Sequence, residues 1–554
     1  MSSLIDHNAV NAPYKKVVVI GWDGADWRLL RPWVLEGKLP TLARFVQEGS
    51  YGYLRSTMRP ESSVAWASFS TGVNPGKHSV YGFVARTDAH SYAMSLTNAS
   101  SVRATRFWEV LGERYHIGLL NVPYTYPPAP VNGFLIGGML TPSIDSEFTF
   151  PPTLKEELLK KFHSYITDVT GPSDDKARLI ENVRVFTGQQ QAVALHLLKW
   201  KKWDFFSAVF VGPDRLQHFL WEDTKRGDSP LSDVDPKFQN ELLAHYQTLD
   251  LGLAQILLHI PEDALVFLIS DHGFNGCARK FFVNRWLRQQ GLLSIKSTKN
   301  FWSNSLAIAN YLHKVSLIRK IKQKLKLDAV KLSQIQSTSF TNMIDWSRTF
   351  AYFGLDGGVR INMREREPEG IVSPGLEYEE LRQSLRQQLT SLVDPLTHKP
   401  VFAAVYFREE LYHGPFVELA PDLILDPMRE QQNTEENFLL DGSLNGDSEV
   451  VFGSSYPYSG NHAHNGIFCA LGPGVRRAHE VTGAEIIDVA PTILAAMGCA
   501  IPDDVDGKLL DIFVNPMQSQ IYRDVAASPP KPQYIYSPEE EELVQQRLQD
   551  LGYL

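Results

Sequence analysis

The sequence predicts an α/β protein with a mostly parallel central sheet, helices on both faces and an inserted cap. Apolar runs of strand length recur at residues 16–22, 117–122, 205–211 and 264–270. Near-continuous apolar runs of this kind belong to strands buried on both faces. Long stretches of helical periodicity, about residues 177–202 and 236–259, fill the gaps between them, as crossover helices do in alternating α/β chains. From about 275 to 455 the pattern turns mixed, charged and loop-rich, and a strand-like run resumes at 466–471. The expected division is therefore a first core part over 1–274, an inserted cap or lid over 275–455, and a second core part with a terminal helix over 456–554.

In chain order, Lys16-Val-Val-Val-Ile-Gly-Trp22 opens onto Asp23-Gly24-Ala25-Asp26, which puts Asp23 at the carboxyl end of a strand. Ligands bind at that edge in open α/β sheets. Pro60-Glu61-Ser62-Ser63-Val64-Ala65-Trp66 runs into Ser70-Thr71-Gly72 with helical character. It places Ser62 at a helix start, where backbone N–H groups and the dipole favour an anion. An N-capping role suits the same position, and Ser63 is the competing hydroxyl if the register differs by one. Asp214 and His218 are four apart and share a helix face, a spacing that surface pairs also show. Asp271-His272 directly follows the 264–270 run, and with Gly273 it also fits a capped turn. His462 lies in Ser459-Gly-Asn-His462 just before the 466–471 strand and is uninformative alone.

The order of these groups is what carries chemistry. Paired divalent ions clamp the attacking and leaving oxygens of an in-line displacement, and Asp and His ligands without cysteine suit Zn²⁺ or Mn²⁺. A serine hydroxyl is a poor nucleophile until it is activated. Two metals and such a serine point to phosphoryl-group hydrolysis. The formal net charge of −9 argues against general nucleic-acid binding. Cys277, Cys469 and Cys499 are too few and scattered for a disulfide framework and are expected to be buried thiols. The first residues show no positive region followed by an apolar one, and no stretch approaches the roughly 18 apolar residues of a spanning helix. Cytoplasmic residence is the expectation.

The Gly-Trp-Asp-Gly-Ala-Asp start, the segment from Ser62 through Gly72-Val-Asn-Pro-Gly-Lys-His78, Asp214-x-x-x-His218, Asp271-His272-Gly273, Ser459-Gly-Asn-His462 and Gly472-Pro-Gly474 together resemble the type I phosphodiesterase/nucleotide pyrophosphatase branch of the alkaline phosphatase superfamily. The resemblance implies an alkaline-phosphatase-like three-layer sandwich. It also implies that Asp23, Ser62, Asp271 and His272 surround one metal, with Ser62 as covalent nucleophile, and that Asp214, His218 and His462 hold a second, zinc being usual. Phosphodiester or pyrophosphate cleavage in a small phosphorylated substrate or head group follows. Phosphomonoester hydrolysis and phosphoryl transfer or mutase activity on the same site are the alternatives. Nucleotide pyrophosphatases carry Thr-Phe-Pro-Asn-His at the nucleophile, whereas here Ala65 stands at the Asn position, which weakens the case for nucleotides. Arg59 reads as a solvated side chain or a phosphate contact. The basic amphipathic run 314–326 gives a lesser alternative, a membrane-surface binding protein, with a cap helix as its ordinary explanation.

Overall fold

The computed structural model describes residues 12–86, 91–169, 175–222, 238, 240–296, 342–427, 437–444, 450–517, 521–522, 533–551 and 553. Its centre is a nine-stranded sheet in the order His479–Glu485, Ser50–Arg55, Asn465–Leu471, Leu265–Ile269, Val17–Trp22, Phe205–Phe210, Ile117–Leu120, Gly133–Ile136, Thr149–Phe150. Most neighbours are parallel. Asn465–Leu471 runs antiparallel to both of its partners, and Thr149–Phe150 is an antiparallel edge strand. Every residue of the strands at 17–22, 117–120, 205–210 and 265–269 is buried. The missing polar alternation has the expected cause, since both faces are covered. Helices Pro40–Glu48, Lys176–Trp200, Gly212–Leu220 and Glu241–Leu257 pack together as one group, and Ser62–Thr71, Phe107–Gly112 and Val489–Ala496 as another.

Register decides where the site lies. Val17–Trp22 is flanked by two parallel partners, with Trp22 opposite Phe210 and Gly21 opposite Ile269. The three strands therefore finish level, and Asp23, the start of helix Gly212–Leu220 and Asp271 emerge along one edge. Ser62–Thr71 reaches the same edge as a helix buried along its whole length, closed by Gly72 in the left-handed conformation at φ 69°, where glycine carries no Cβ penalty.

Past the site edge the chain does not turn at once into loop. Gly273–Phe282 is a ten-residue strand that runs through position 275. It pairs first with Gly460–Ala463 and then with Asn437–Asp441 and Phe452–Ser454. It leads to a second apolar cluster, which includes Phe281, Trp286, Ile344, Val359, Leu385 and Leu425. That cluster packs with a four-stranded sheet in the order Ala351–Phe353, Gly358–Ile361, Leu423–Asp426, Ala404–Phe407, and with helix Leu376–Thr390. The basic run 314–326 lies outside the described residues. Among the described residues, no helix is long and apolar enough to cross a membrane, and all three cysteines are free and buried.

Candidate metal centre

All seven residues singled out from the sequence meet in one buried cluster. Ser62 Oγ lies 3.1 Å from His272 Nε2 and 3.4 Å from Asp23 Oδ1. His272 Nε2 is 3.3 Å from Asp271 Oδ2, 3.6 Å from Asp23 Oδ1 and 3.9 Å from Asp214 Oδ1. His462 Nε2 lies 3.2 Å from Asp214 Oδ1 and 3.1 Å from His218 Nε2, which is itself 3.5 Å from Asp214 Oδ1. Asp23, Asp271 and His272 form one ligand group and Asp214, His272 and His462 another, each with donor atoms within 4.8 Å of one another. His218 abuts the second group. His272 stands between the two, its ring stacked on that of His462 with centroids 3.8 Å apart. These are two candidate His/Asp metal positions of a binuclear centre.

The donor chemistry fits cations. Asp271 Oδ2 is buried without a hydrogen-bond partner. His272 Nδ1 is 3.0 Å from the Gly273 carbonyl and His218 Nδ1 is 3.2 Å from that of Gly460. A nitrogen facing a carbonyl must carry a proton, so Nε2 is the atom that each ring turns to the cluster. Burial, then Asp271 and Asp214, pushes the Asp23 carboxyl well above the usual range. Burial and then Asp214 push Asp271 up to about 8. For Asp214 burial acts in the same direction, but His218, His462 and Arg215 outweigh it and hold the group well below that range. Burial and His272 bring His462 down to about 3. Three carboxylates this close stay ionised together only beside positive charge.

Ser62 and Ser63 are separated by their partners. Helix Ser62–Thr71 has Glu61 at its N-cap position, so Ser62 is not the cap, and its hydroxyl points into the carboxylate and imidazole cluster. Ser63 Oγ donates to Glu61 Oε1 at 2.8 Å. Arg59 is not a solvated side chain: it pairs with Glu61 at 2.7 Å and donates to the carbonyls of Asp356 and Tyr81. Asp26 has a structural role, accepting from Arg28 N at 2.7 Å at a helix start and from Phe274 N at 3.0 Å.

Three supporting residues escaped the sequence analysis. Trp66 Nε1 donates to Asp23 Oδ2 at 2.9 Å. Its place four residues after Ser62 on one helix face was the available signal. Arg215 Nη1 donates to Asp214 Oδ2 at 2.7 Å, and Tyr553 reaches the same oxygen; neither carries a spacing pattern. Beside the cluster is a cavity of about 560 Å³, lined among others by Arg59, Glu61, His218, Phe353, His462 and Tyr553.

The sequence profile of the family described as type I phosphodiesterase / nucleotide pyrophosphatase matches residues 17–441. Among curated proteins no match was found. Phosphonoacetate hydrolase from Sinorhizobium meliloti 1021, in complex with phosphonoformate, is similar in structure with a TM-score of 0.53 at 11% identity, over 86% of this chain and 95% of that one. Human ectonucleotide pyrophosphatase/phosphodiesterase 5 gives 0.45 at 12% identity, over 91% and 97%. The murine protein of the same name gives 0.46 at 11% identity, over 91% and 97%. At 11% identity the first of these likenesses speaks to the fold alone, and the fold is alkaline-phosphatase-like. With most of its length matching the family profile, the chain belongs to the type I phosphodiesterase/nucleotide pyrophosphatase family of hydrolases.

Proposed function

We propose that this protein is a metal-dependent phosphodiesterase acting on a small molecule or head group through a phosphoserine intermediate on Ser62. The observation that carries this is the position of Ser62 Oγ, 3.1 Å from His272 Nε2 and 3.4 Å from Asp23 Oδ1, at the start of a helix whose dipole favours an incoming phosphate. Asp23, Ser62, Asp271 and His272 would hold one ion and Asp214, His218 and His462 the other, with zinc favoured and manganese the alternative for this donor set. When bound, two such ions neutralise charge on the phosphoryl oxygens and lower the pKa of a bound hydroxyl or water. Ser62 Oγ bonds to phosphorus as the bond to the leaving oxygen breaks, and the proton lost from the hydroxyl ends on that oxygen, which departs as the alcohol. Water oxygen then bonds to phosphorus as the bond to Oγ breaks, a proton of that water returns to Oγ, and the phosphomonoester is released.

A diester carries one negative charge where a monoester carries nearly two, and the cations lining the cavity are already engaged. Arg59 pairs with Glu61 at 2.7 Å and Lys280 with Asp441 at 3.0 Å. Among the described residues, little free positive charge is left for a dianion outside the metal positions. The cavity also has room for a second ester substituent. Phe353 and Leu425, from the smaller sheet, line it, which supports a cap role for the inserted region.

The test is turnover of bis-p-nitrophenyl phosphate against p-nitrophenyl phosphate by zinc-loaded protein, with Ser62→Ala and Ser63→Ala variants. Preferred diester turnover is expected, reduced about 10³-fold or more by Ser62→Ala and only a few-fold by Ser63→Ala. Monoester preference would overturn the phosphodiesterase reading, and activity surviving Ser62→Ala would remove the covalent step.

A further inference from the structure

We infer that Tyr553 is a positioning residue of the second metal position: with Arg215 it fixes the outer oxygen of Asp214 so that the inner oxygen faces the ion. The inference rests on the reading that Asp214, His218 and His462 hold a metal.

The two oxygens of Asp214 have separate surroundings. Oδ1 is the oxygen that faces the histidines, 3.2 Å from His462 Nε2 and 3.5 Å from His218 Nε2. Oδ2 faces away and accepts from Arg215 Nη1 at 2.7 Å and from the Tyr553 hydroxyl. Arg215 Nη1 also donates to the Tyr553 oxygen at 2.8 Å. The three groups close a triangle in which Arg215 Nη1 serves both oxygens and the Tyr553 hydroxyl serves the carboxylate. A single N–H contact would let the carboxylate rotate about its Cβ–Cγ bond. Two converging donors hold one orientation, as outer partners of metal ligands do. Arg215 is fully buried and is charge-balanced further by Asp168 at 3.3 Å, so its guanidinium is committed to this task.

Tyr553 is brought there by a fastened helix. Along Pro538–Asp550, Val544 and Leu548 are buried, and Arg547 donates to the Thr141 and Pro142 carbonyls, both at 2.8 Å. At the helix start Glu540 accepts from Tyr534 at 2.8 Å and from Tyr126 and Ser146, both at 3.2 Å. Tyr553 N then bonds the Leu548 carbonyl at 2.8 Å. The ring packs against Phe83, His218 and His462, with centroids 4.9, 5.5 and 5.7 Å apart. Phenylalanine would keep that packing and lose only the hydroxyl.

The experiment is a competitive-chelator titration of zinc on the full chain, with metal content by mass spectrometry, comparing wild type, Tyr553→Phe and His218→Ala. Wild type should bind two ions. Tyr553→Phe should bind one with unchanged affinity and the other about 10- to 100-fold more weakly, and His218→Ala should lose that same ion. The metal-free thermal midpoint of Tyr553→Phe should fall by only a few degrees, about what one buried hydrogen bond contributes in a chain of this size, which separates positioning from general loosening. Two ions at wild-type affinity in Tyr553→Phe would overturn the inference, and so would a rise in KM alone with both ions unchanged, which would make Tyr553 a substrate contact. Wild type binding fewer than two ions would instead defeat the underlying metal reading.

Discussion

Gly21→Ala tests whether the packing behind Asp23 controls both stability and function. A Cβ on Gly21 would lie 2.7 Å from Cη2 and 3.3 Å from Cζ2 of Trp66, and 2.9 Å from a methyl of Val209. Ordinary carbon contacts are about 3.5–4.0 Å, so the new methyl is squeezed from two sides. Trp66 and Val209 are both buried, at 0% and 1% exposure, and have nowhere to go. Overpacking of this kind costs about 1–3 kcal/mol, offset by about 0.5–1 kcal/mol for replacing a strand glycine. The net is a loss of between about 0 and 2.5 kcal/mol. Trp66→Phe removes the two ring carbons that the methyl strikes, but it also removes the Nε1 donor to Asp23 Oδ2, at about 1–3 kcal/mol for a buried acceptor left short of a donor. The double variant should therefore be more stable than the sum of the singles by about 1 kcal/mol while staying poorly active, because the Asp23 carboxylate still lacks its indole partner. Urea unfolding of metal-free protein followed by circular dichroism reads the first quantity and diester turnover at saturating zinc the second. Additivity within about 0.5 kcal/mol, or full activity in the double variant, would refute the reasoning.

Two further outcomes follow from the buried charges. Removing metal with a chelator should abolish turnover and lower the calorimetric midpoint, since an ion held at about a thousand times its Kd contributes about 4 kcal/mol; activity should return with zinc, and an unmoved midpoint would count against a resident ion. Burial pushes the imidazole of His78, bonded to Ser68 Oγ at 2.8 Å, down to about 3, below the roughly 6.5 of the unfolded chain. The unfolded state then binds more protons between those values, so this stability is complete above about pH 6.5 and is lost as pH falls toward 3. Between pH 7.5 and 5 the loss is about 2 kcal/mol. Unfolding curves of His78→Gln should show a correspondingly flatter pH dependence, and an identical slope would dismiss this account.

The sequence by itself determined the α/β class, the strands carrying Asp23 and Asp271, the helix pairing Asp214 with His218, and the chemistry those residue types share. These were legible because apolar runs, helical period and donor type are local properties, expressed within about ten neighbouring residues. Tertiary structure decided what depended on contacts distant in sequence. It set His272 between two ligand groups where the resemblance implied one, turned Ser62 into the cluster and Ser63 toward Glu61, and carried strand Gly273–Phe282 through the position where the pattern changes. It also brought Tyr553 to an aspartate 339 positions earlier. No local pattern encodes such a meeting, because it depends on strand register and helix docking, which many contacts fix jointly and no single segment specifies.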